Sequence, residues 1–313
     1  MALPRHKIYI PFIPLLFVVI KIFFLKLYRG KNVDLLEKNL SKYWDKKRCQ
    51  TVSSWRLGFH YALKSLELDE EDKVLLTPLG IGDIVNAITL LKLKPVFVDM
   101  DPNTHNIDFY DLKRKITKKT KVIHITYLSG MVPNLDEIVA IAKENNLIII
   151  EDITQNYGAT YKGKLVGKFG DFAIGSFSLG KCIASLIGGF VMTDNKIFHE
   201  KIKSYCHKDL KEPKKKFLLK FGYGQLMLSI ATSKYFFNLI TRTIFSLLSK
   251  LNPEKLKEIH HPKYYYKELH KQSFYENPPL LREFWPDDIY SYFTDLQAEL
   301  ALVTFRRLEA GFN

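Results

Sequence analysis

Three observations predict an α/β fold built on a mainly parallel sheet with helices on both faces. From residue 33 to about 200, short apolar runs alternate with helical patterns. The runs are apolar on both faces, as strands covered from two sides must be. Several end in proline or acids, which turn the chain. Crossovers of this length between parallel strands are right-handed.

The elements follow in order. Leu35 to Trp44 and Leu57 to Leu66 carry apolar residues at helical spacing. Lys73–Pro78 is a short apolar strand stopped by proline. Asp83 to Leu93 is helical. Lys94–Asp101 is a strand that leaves through a turn at Pro102-Asn103. Asp108 to Ile116 is a helix, Lys121–Leu128 a strand and Asn134 to Glu144 a helix. Asn146–Asp152 is the most hydrophobic strand, and Asp171–Ser178 and Gly188–Thr193 are two more. Ligands of such sheets bind outside the carboxyl ends of the strands. That rule points to Pro78–Asp83, Tyr127–Gly130, Asp152–Gln155 and Ser176–Lys181.

Composition excludes other classes. With 47% hydrophobic residues over 313 positions the chain is not disordered. Three cysteines without paired spacing exclude a disulfide scaffold and fit a reducing compartment. No Cys/His spacing suggests zinc, so no metal site is expected.

The net charge of +14 is unevenly placed. Residues 1–48 carry +8 and residues 201–273 carry +11, while everything else carries −5. Both basic segments wrap apolar runs. Ile8 to Leu25 contains one charge, Lys21, and is flanked by Arg5, Lys7, Lys26, Arg29 and Lys31. It reads either as a membrane-embedded segment or as a buried core helix, and Pro11 and Pro14 oppose a straight helix at its start. Phe217–Leu251, interrupted by Lys220, Lys234, Arg242 and Lys250, reads as amphipathic helices at an anionic membrane surface. The alternative is a core helical hairpin with a solvated basic face. Nucleic acid is the weaker reading of the charge, because phosphate binding does not require such aliphatic runs.

Asp152 and Lys181 each have an ordinary explanation when taken alone: a turn residue and a solvated charge. In combination they carry more. The chain has Glu151-Asp152, Gln155, Gly158-Ala159, Gly163-Lys164, Gly167, Gly170-Asp171, Ser176-Phe177, Lys181, Gly188-Gly189 and Thr193 in one order. Upstream stands KPVFVDMDPNTHNID (Lys94–Asp108), and downstream DLQAELALVTFRRLE (Asp295–Glu309). These blocks resemble the DegT/DnrJ/EryC1/StrS family of pyridoxal-phosphate-dependent sugar aminotransferases, from about Leu35 to Tyr205 and again over Thr294–Glu309.

The resemblance implies the large domain of fold type I with a seven-stranded type of sheet. Lys181 would carry the cofactor covalently and then shuttle the proton. Asp152 would pair with the pyridinium nitrogen, Gln155 would contact the ring hydroxyl, and Ser176 would bind the phosphate. Arg56 could neutralise the phosphate, although Trp55-Arg56 stands where relatives have Gly-Thr. Ile81, or no residue at all, stands for a stacking aromatic, Tyr127 replaces a histidine and Ile187 a glutamate. Tyr290 and Tyr292 stand for an Asn and an Arg.

The expected organisation is residues 1–31 as an apolar N-terminal segment and membrane anchor, then 32–206 as the aminotransferase-like domain. Residues 207–273 form a basic apolar helical insertion, and 274–313 a return helix leading toward a C-terminal domain. Asn313 falls near where family members begin that domain, so the chain is expected to be a fragment or a truncation. The activity implied is amino transfer, from a donor such as glutamate to a nucleotide- or lipid-linked keto-sugar, in polysaccharide or glycolipid synthesis. The setting implied is a homodimer in the cytoplasm, at the inner face of the membrane. The departures from the family pattern leave a second expectation, a catalytically degenerate relative acting as a membrane-surface scaffold.

Overall fold

A computed structural model describes residues 10–251 and 281–311. The first nine residues of the N-terminal segment, and the part of the basic segment after Leu251, lie outside the described residues.

The central sheet has seven strands in the order β1-β9-β8-β5-β4-β2-β3. They are β1 (Arg48–Val52), β2 (Lys73–Leu76), β3 (Lys94–Phe97), β4 (Thr120–Thr126), β5 (Ile148–Asp152), β8 (Phe172–Ser176) and β9 (Gly189–Thr193). β2, β3, β4, β5 and β8 are parallel neighbours, and β9 runs antiparallel to both β8 and β1. β5 lies mid-sheet, which explains its composition. Ile149 and Ile153 enter the core on one face, with Val33, Leu36 and Phe305. Ile150 enters the core on the other face, with Phe59, Val122 and Phe172. Alternate side chains of a strand point to opposite faces, so both must be apolar.

The six expected strands all form. Strand β1 was not expected, because RCQTV reads as polar. It is stabilised from outside: Glu37 on α2 (Lys31–Trp44) accepts from the Thr51 backbone N–H at 2.6 Å and from its hydroxyl at 2.8 Å. A two-residue hairpin, β6 (Thr160–Tyr161) with β7 (Lys164–Leu165), was also missed.

Helices α3 (Trp55–Ser65), α4 (Gly82–Thr89), α5 (Phe109–Lys115), α6 (Leu135–Glu144) and α7 (Lys196–Asp209) cover the sheet. The chain continues through α8 (Lys215–Ala231), α9 (Lys234–Phe236), a π-type turn and α10 (Arg242–Leu251). It returns in α11 (Asp295–Glu309), which starts with a capping box of Thr294 and Gln297.

The N-terminal apolar run forms a shorter helix than a span requires. Helix α1 covers Phe12–Phe24, about 20 Å at 1.5 Å per residue, against a hydrocarbon core of about 30 Å. Among the described residues no helix is long and apolar enough to cross a membrane. Pro11 precedes α1 and Pro14 sits in its first turn, where no helical donor is lost. Leu15, Val18 and Ile22 pack with Leu218 and Phe221 of α8 and Leu300 of α11. Lys21 pairs with Glu299 of α11 at 2.7 Å. The α1–α8 contact is close: a Cβ at Gly222 would lie 2.5 Å from Val19 Cγ2. The α8 half of the basic segment is thus part of a core, whereas Tyr235, Leu239, Ile240 and Leu247 beyond it are exposed.

Candidate active site

The carboxyl ends of β5 and β8 and the N-terminus of α3 converge on one place. Strand pairing sets Asp152 beside Thr126 of β4 and Ile174 of β8. Asp152 ends a buried strand and is itself 9% exposed. Its Oδ1 accepts from the Thr154 backbone N–H at 3.0 Å. Burial pushes its carboxyl above the usual range, while Thr154, the Lys181 ammonium and the Trp55 indole hold it back.

Lys181 follows Gly180 in the loop between β8 and β9 and is half-buried. Burial pulls its ammonium below the ordinary lysine range, and the Asp152 carboxylate pulls the other way. The pair is therefore an acid and an amine in one dry corner, each tuned by burial and by the other.

The lysine loop is held by its backbone. Thr304 of α11 accepts from the Ala184 N–H at 2.9 Å, and Gln297 donates to the Ile187 carbonyl at 2.7 Å. From the other side comes Gln225 of α8, fully buried, whose Nε2 donates to the carbonyls of Ser185 at 3.1 Å and Leu186 at 2.8 Å. Gly189 opens β9 so close to α3 that a Cβ there would lie 2.6 Å from the Trp55 backbone nitrogen.

Ser176 closes β8, its hydroxyl 2.9 Å from that of Ser178. Tyr157 fixes this strand end, accepting from the Ser176 N–H and donating to its carbonyl, both at 2.7 Å. Gln155 lies exposed on the turn after β5. Arg56 sits in the first turn of α3, and its Nε donates to Asp83 at 2.5 Å. Arg282 donates to the other Asp83 oxygen at 3.1 Å. Two guanidiniums meet on one carboxylate beside a helix N-terminus, and the free N–H groups of such an end suit an anion. Asp152, Lys181 and Ser176 thus lie together, Arg56 stands at the helix end of the same corner, and Gln155 faces solvent.

Asp83 has no exposed side-chain surface. Burial raises its pKa, but Arg56 and Arg282 outweigh burial and hold the carboxyl below the usual range. A depressed folded-state pKa gives stability that is present above the unfolded value near 4 and lost as pH falls through the folded value. Asp83→Asn is expected to cost about 3–5 kcal/mol at neutral pH, by leaving two arginines without their counter-charge. Urea melts at neutral pH and below pH 4 check this, since the gap between the two proteins should shrink in acid.

Sequence reasoning gave several residues here no structural role. Glu151 is fully buried. It accepts from the Tyr127 hydroxyl at 2.5 Å and from the backbone N–H groups of Gly167, Phe169 and Gly170 at 2.6, 2.8 and 2.5 Å. Tyr127, which departs from the family pattern, thereby has a structural partner. His124 is buried on β4 against Phe59 at 4.7 Å, and burial lowers its pKa to about 3, so it is neutral.

Beside β5, His124 Nε2 is buried without a hydrogen-bond partner among the described residues, as is the Asn156 amide on the turn that follows, while the Trp55 indole and the Thr154 hydroxyl bear on the Asp152 carboxylate. Orphaned groups each cost about 1–3 kcal/mol. Their grouping at a strand end fits a site that receives a polar ring.

Comparisons place this geometry. A GDP-perosamine synthase of Escherichia coli O157:H7 is 32% identical over 205 residues, covering 66% of this chain and 56% of that protein. A dTDP-3-amino-3,6-dideoxy-alpha-D-galactopyranose transaminase of Aneurinibacillus thermoaerophilus is 34% identical, over 53% of this chain and 46% of its own. The chain thus spans about half the length of these relatives. A solved Streptococcus pneumoniae structure in its PLP form superposes with a TM-score of 0.64 at 20% identity, covering 99% of this chain and 68% of that one. A family-wide sequence model matches residues 25–234, and the chain belongs to the DegT/DnrJ/EryC1/StrS aminotransferase family.

Proposed function

We propose that the chain is a pyridoxal-phosphate-dependent transaminase that moves an amino group from a donor such as glutamate to a keto-sugar. The observation that carries this is the buried Asp152 at the carboxyl end of β5, beside β8 and the β8–β9 loop that carries the half-buried Lys181. The named relatives make or use GDP- and dTDP-linked amino sugars, which supports a nucleotide-linked sugar, with a lipid-linked one as the alternative carrier. The setting proposed is a homodimer on the cytoplasmic face of an anionic membrane, serving polysaccharide synthesis.

The residues present fit the cofactor. Asp152 would hold the pyridinium nitrogen, Lys181 would carry the group covalently, and Gln155 would meet the ring hydroxyl. Ser176 and the N-terminal turn of α3 with Arg56 would take the phosphate. When bound, the group supplies an electron sink for the carbon that loses its proton. The chain's own residues do the rest. Burial pushes the Asp152 carboxyl up while Thr154, Lys181 and Trp55 favour its ionised form, and paired with the ring nitrogen it would keep a proton there. The Lys181 amine, its pKa lowered by burial, would take a proton at Nζ from the amino-bearing carbon of the donor and pass it to the bound group, and in the second half-reaction would carry a proton back onto the sugar carbon. The tight clamp on residues 184–187 keeps that amine in place.

Titrating the purified chain with pyridoxal phosphate tests the reading. Saturable binding with a visible absorbance band, and glutamate-dependent amination of a nucleotide-linked keto-sugar, are the expected results. Binding without transfer would mean a degenerate relative, and absence of binding would sink the proposal.

A further inference from the structure

Helix α1 is apolar all the way round. Leu15, Val18 and Ile22 are buried in the fold, while Phe12, Ile13, Phe17, Ile20, Phe23 and Phe24 are exposed, Phe17 by 57% and Phe24 by 82%. At helical spacing these six form one continuous sector with no polar side chain inside it. The one charge of the helix, Lys21, is held at its flank by Glu299. At the carboxyl end of α1, Lys215 donates from Nζ to the Phe23 carbonyl at 3.2 Å, and Lys26 and Lys216 stand exposed nearby in sequence, whereas Lys214 is paired with Asp288 at 3.1 Å. The sector therefore ends in a group of ammonium charges. No Asp or Glu occurs between residues 1 and 33 or between 213 and 253.

We infer that the outer face of α1 docks flat on an anionic phospholipid bilayer, with its phenylalanines among the acyl chains and the lysines at its carboxyl end on the headgroups. This rests on the proposed function in placing the chain at an anionic membrane, and it names the face that docks and its depth. A helix of 13 residues is too short to cross but suited to lie in the interface. Charge complementarity selects the occupant. A second copy would bring the same basic, acid-free segments against themselves, whereas anionic headgroups attract each lysine near the surface.

Flotation of the full chain with phosphatidylcholine vesicles, with and without phosphatidylglycerol, tests the inference. Binding to the anionic vesicles should exceed binding to neutral ones on the order of tenfold and weaken as salt is raised. The Phe17→Glu, Phe24→Glu double variant, altered only at exposed positions, should lose binding by about tenfold or more, because charge is costly at acyl depth. Lys26→Gln with Lys216→Gln should lower binding to the anionic vesicles alone, by roughly tenfold. This pair also serves if the glutamate variant fails to fold by circular dichroism. Equal binding to both vesicles, or variants that float as the wild type does, overturns the inference. So does a wild type that floats with neither, while the glutamate variant halves the mass seen by light scattering, which would make a second copy the occupant. No cofactor is added, so failure here leaves the pyridoxal-phosphate titration standing, and the reverse holds too.

Discussion

Lys181→Ala is expected to abolish amino transfer and the visible band of the bound cofactor while leaving the fold unchanged. The loop that carries Lys181 is fixed through backbone groups of Ala184, Ser185, Leu186 and Ile187, none of which involves the lysine side chain. Truncation therefore removes the amine without loosening its surroundings. Positioned general bases contribute about 10²–10⁴-fold, and covalent attachment adds to that. Glutamate-dependent turnover should fall by at least about 10²-fold, with far-ultraviolet circular dichroism matching the wild type. The wild-type rate should rise with pH toward the lysine pKa, which burial brings below the ordinary value. A variant that keeps turnover within tenfold would exclude Lys181 as the base.

Glu151→Ala is expected to be the most destabilising single change near the site. Four donors converge on this carboxylate: the Tyr127 hydroxyl and the N–H groups of Gly167, Phe169 and Gly170. Burial pushes its carboxyl up, while these donors favour the charged form. Removing it leaves four buried donors without an acceptor, at about 1–3 kcal/mol each. The loss should be on the order of 4 kcal/mol or more, a large share of the roughly 5–15 kcal/mol that holds a domain together. Thermal melts should show a drop on the order of 10 °C. Tyr127→Phe removes one donor only and should cost about 1 kcal/mol. Equal effects for the two variants would refute the shared-acceptor account.

The sheet was legible because its signal is local. Ile148, Ile149 and Ile150 in a row, β-branched and bounded by turn residues, read as a strand covered on both sides, and its carboxyl end points to the candidate site. Asp152 and Lys181 were singled out by the order of motifs around them, and the fold brings them to one end of the sheet. What escaped depends on contacts between residues far apart in the chain. β1 is polar in sequence and becomes a strand through Glu37 and its pairing with β9. Arg282 meets Asp83 across 199 positions, and nothing local in either residue announces it. The apolar run at the N-terminus was ambiguous because hydropathy records how greasy a segment is and not what lies beside it. Val19 against Gly222, and Lys21 on Glu299, decide that half of it belongs to the fold.

Gln225 has a wider consequence. It belongs to the segment that reads as an insertion, yet it grips the same few peptides that carry Lys181. Parts joined by fully buried hydrogen bonds open together, as one cooperative unit. In native-state hydrogen exchange, the amides of α8 and of residues 184–187 should therefore share one opening free energy. A shortened gene cut to the sheet and its helices would release that unit. The smallest piece able to keep the lysine in position includes α8.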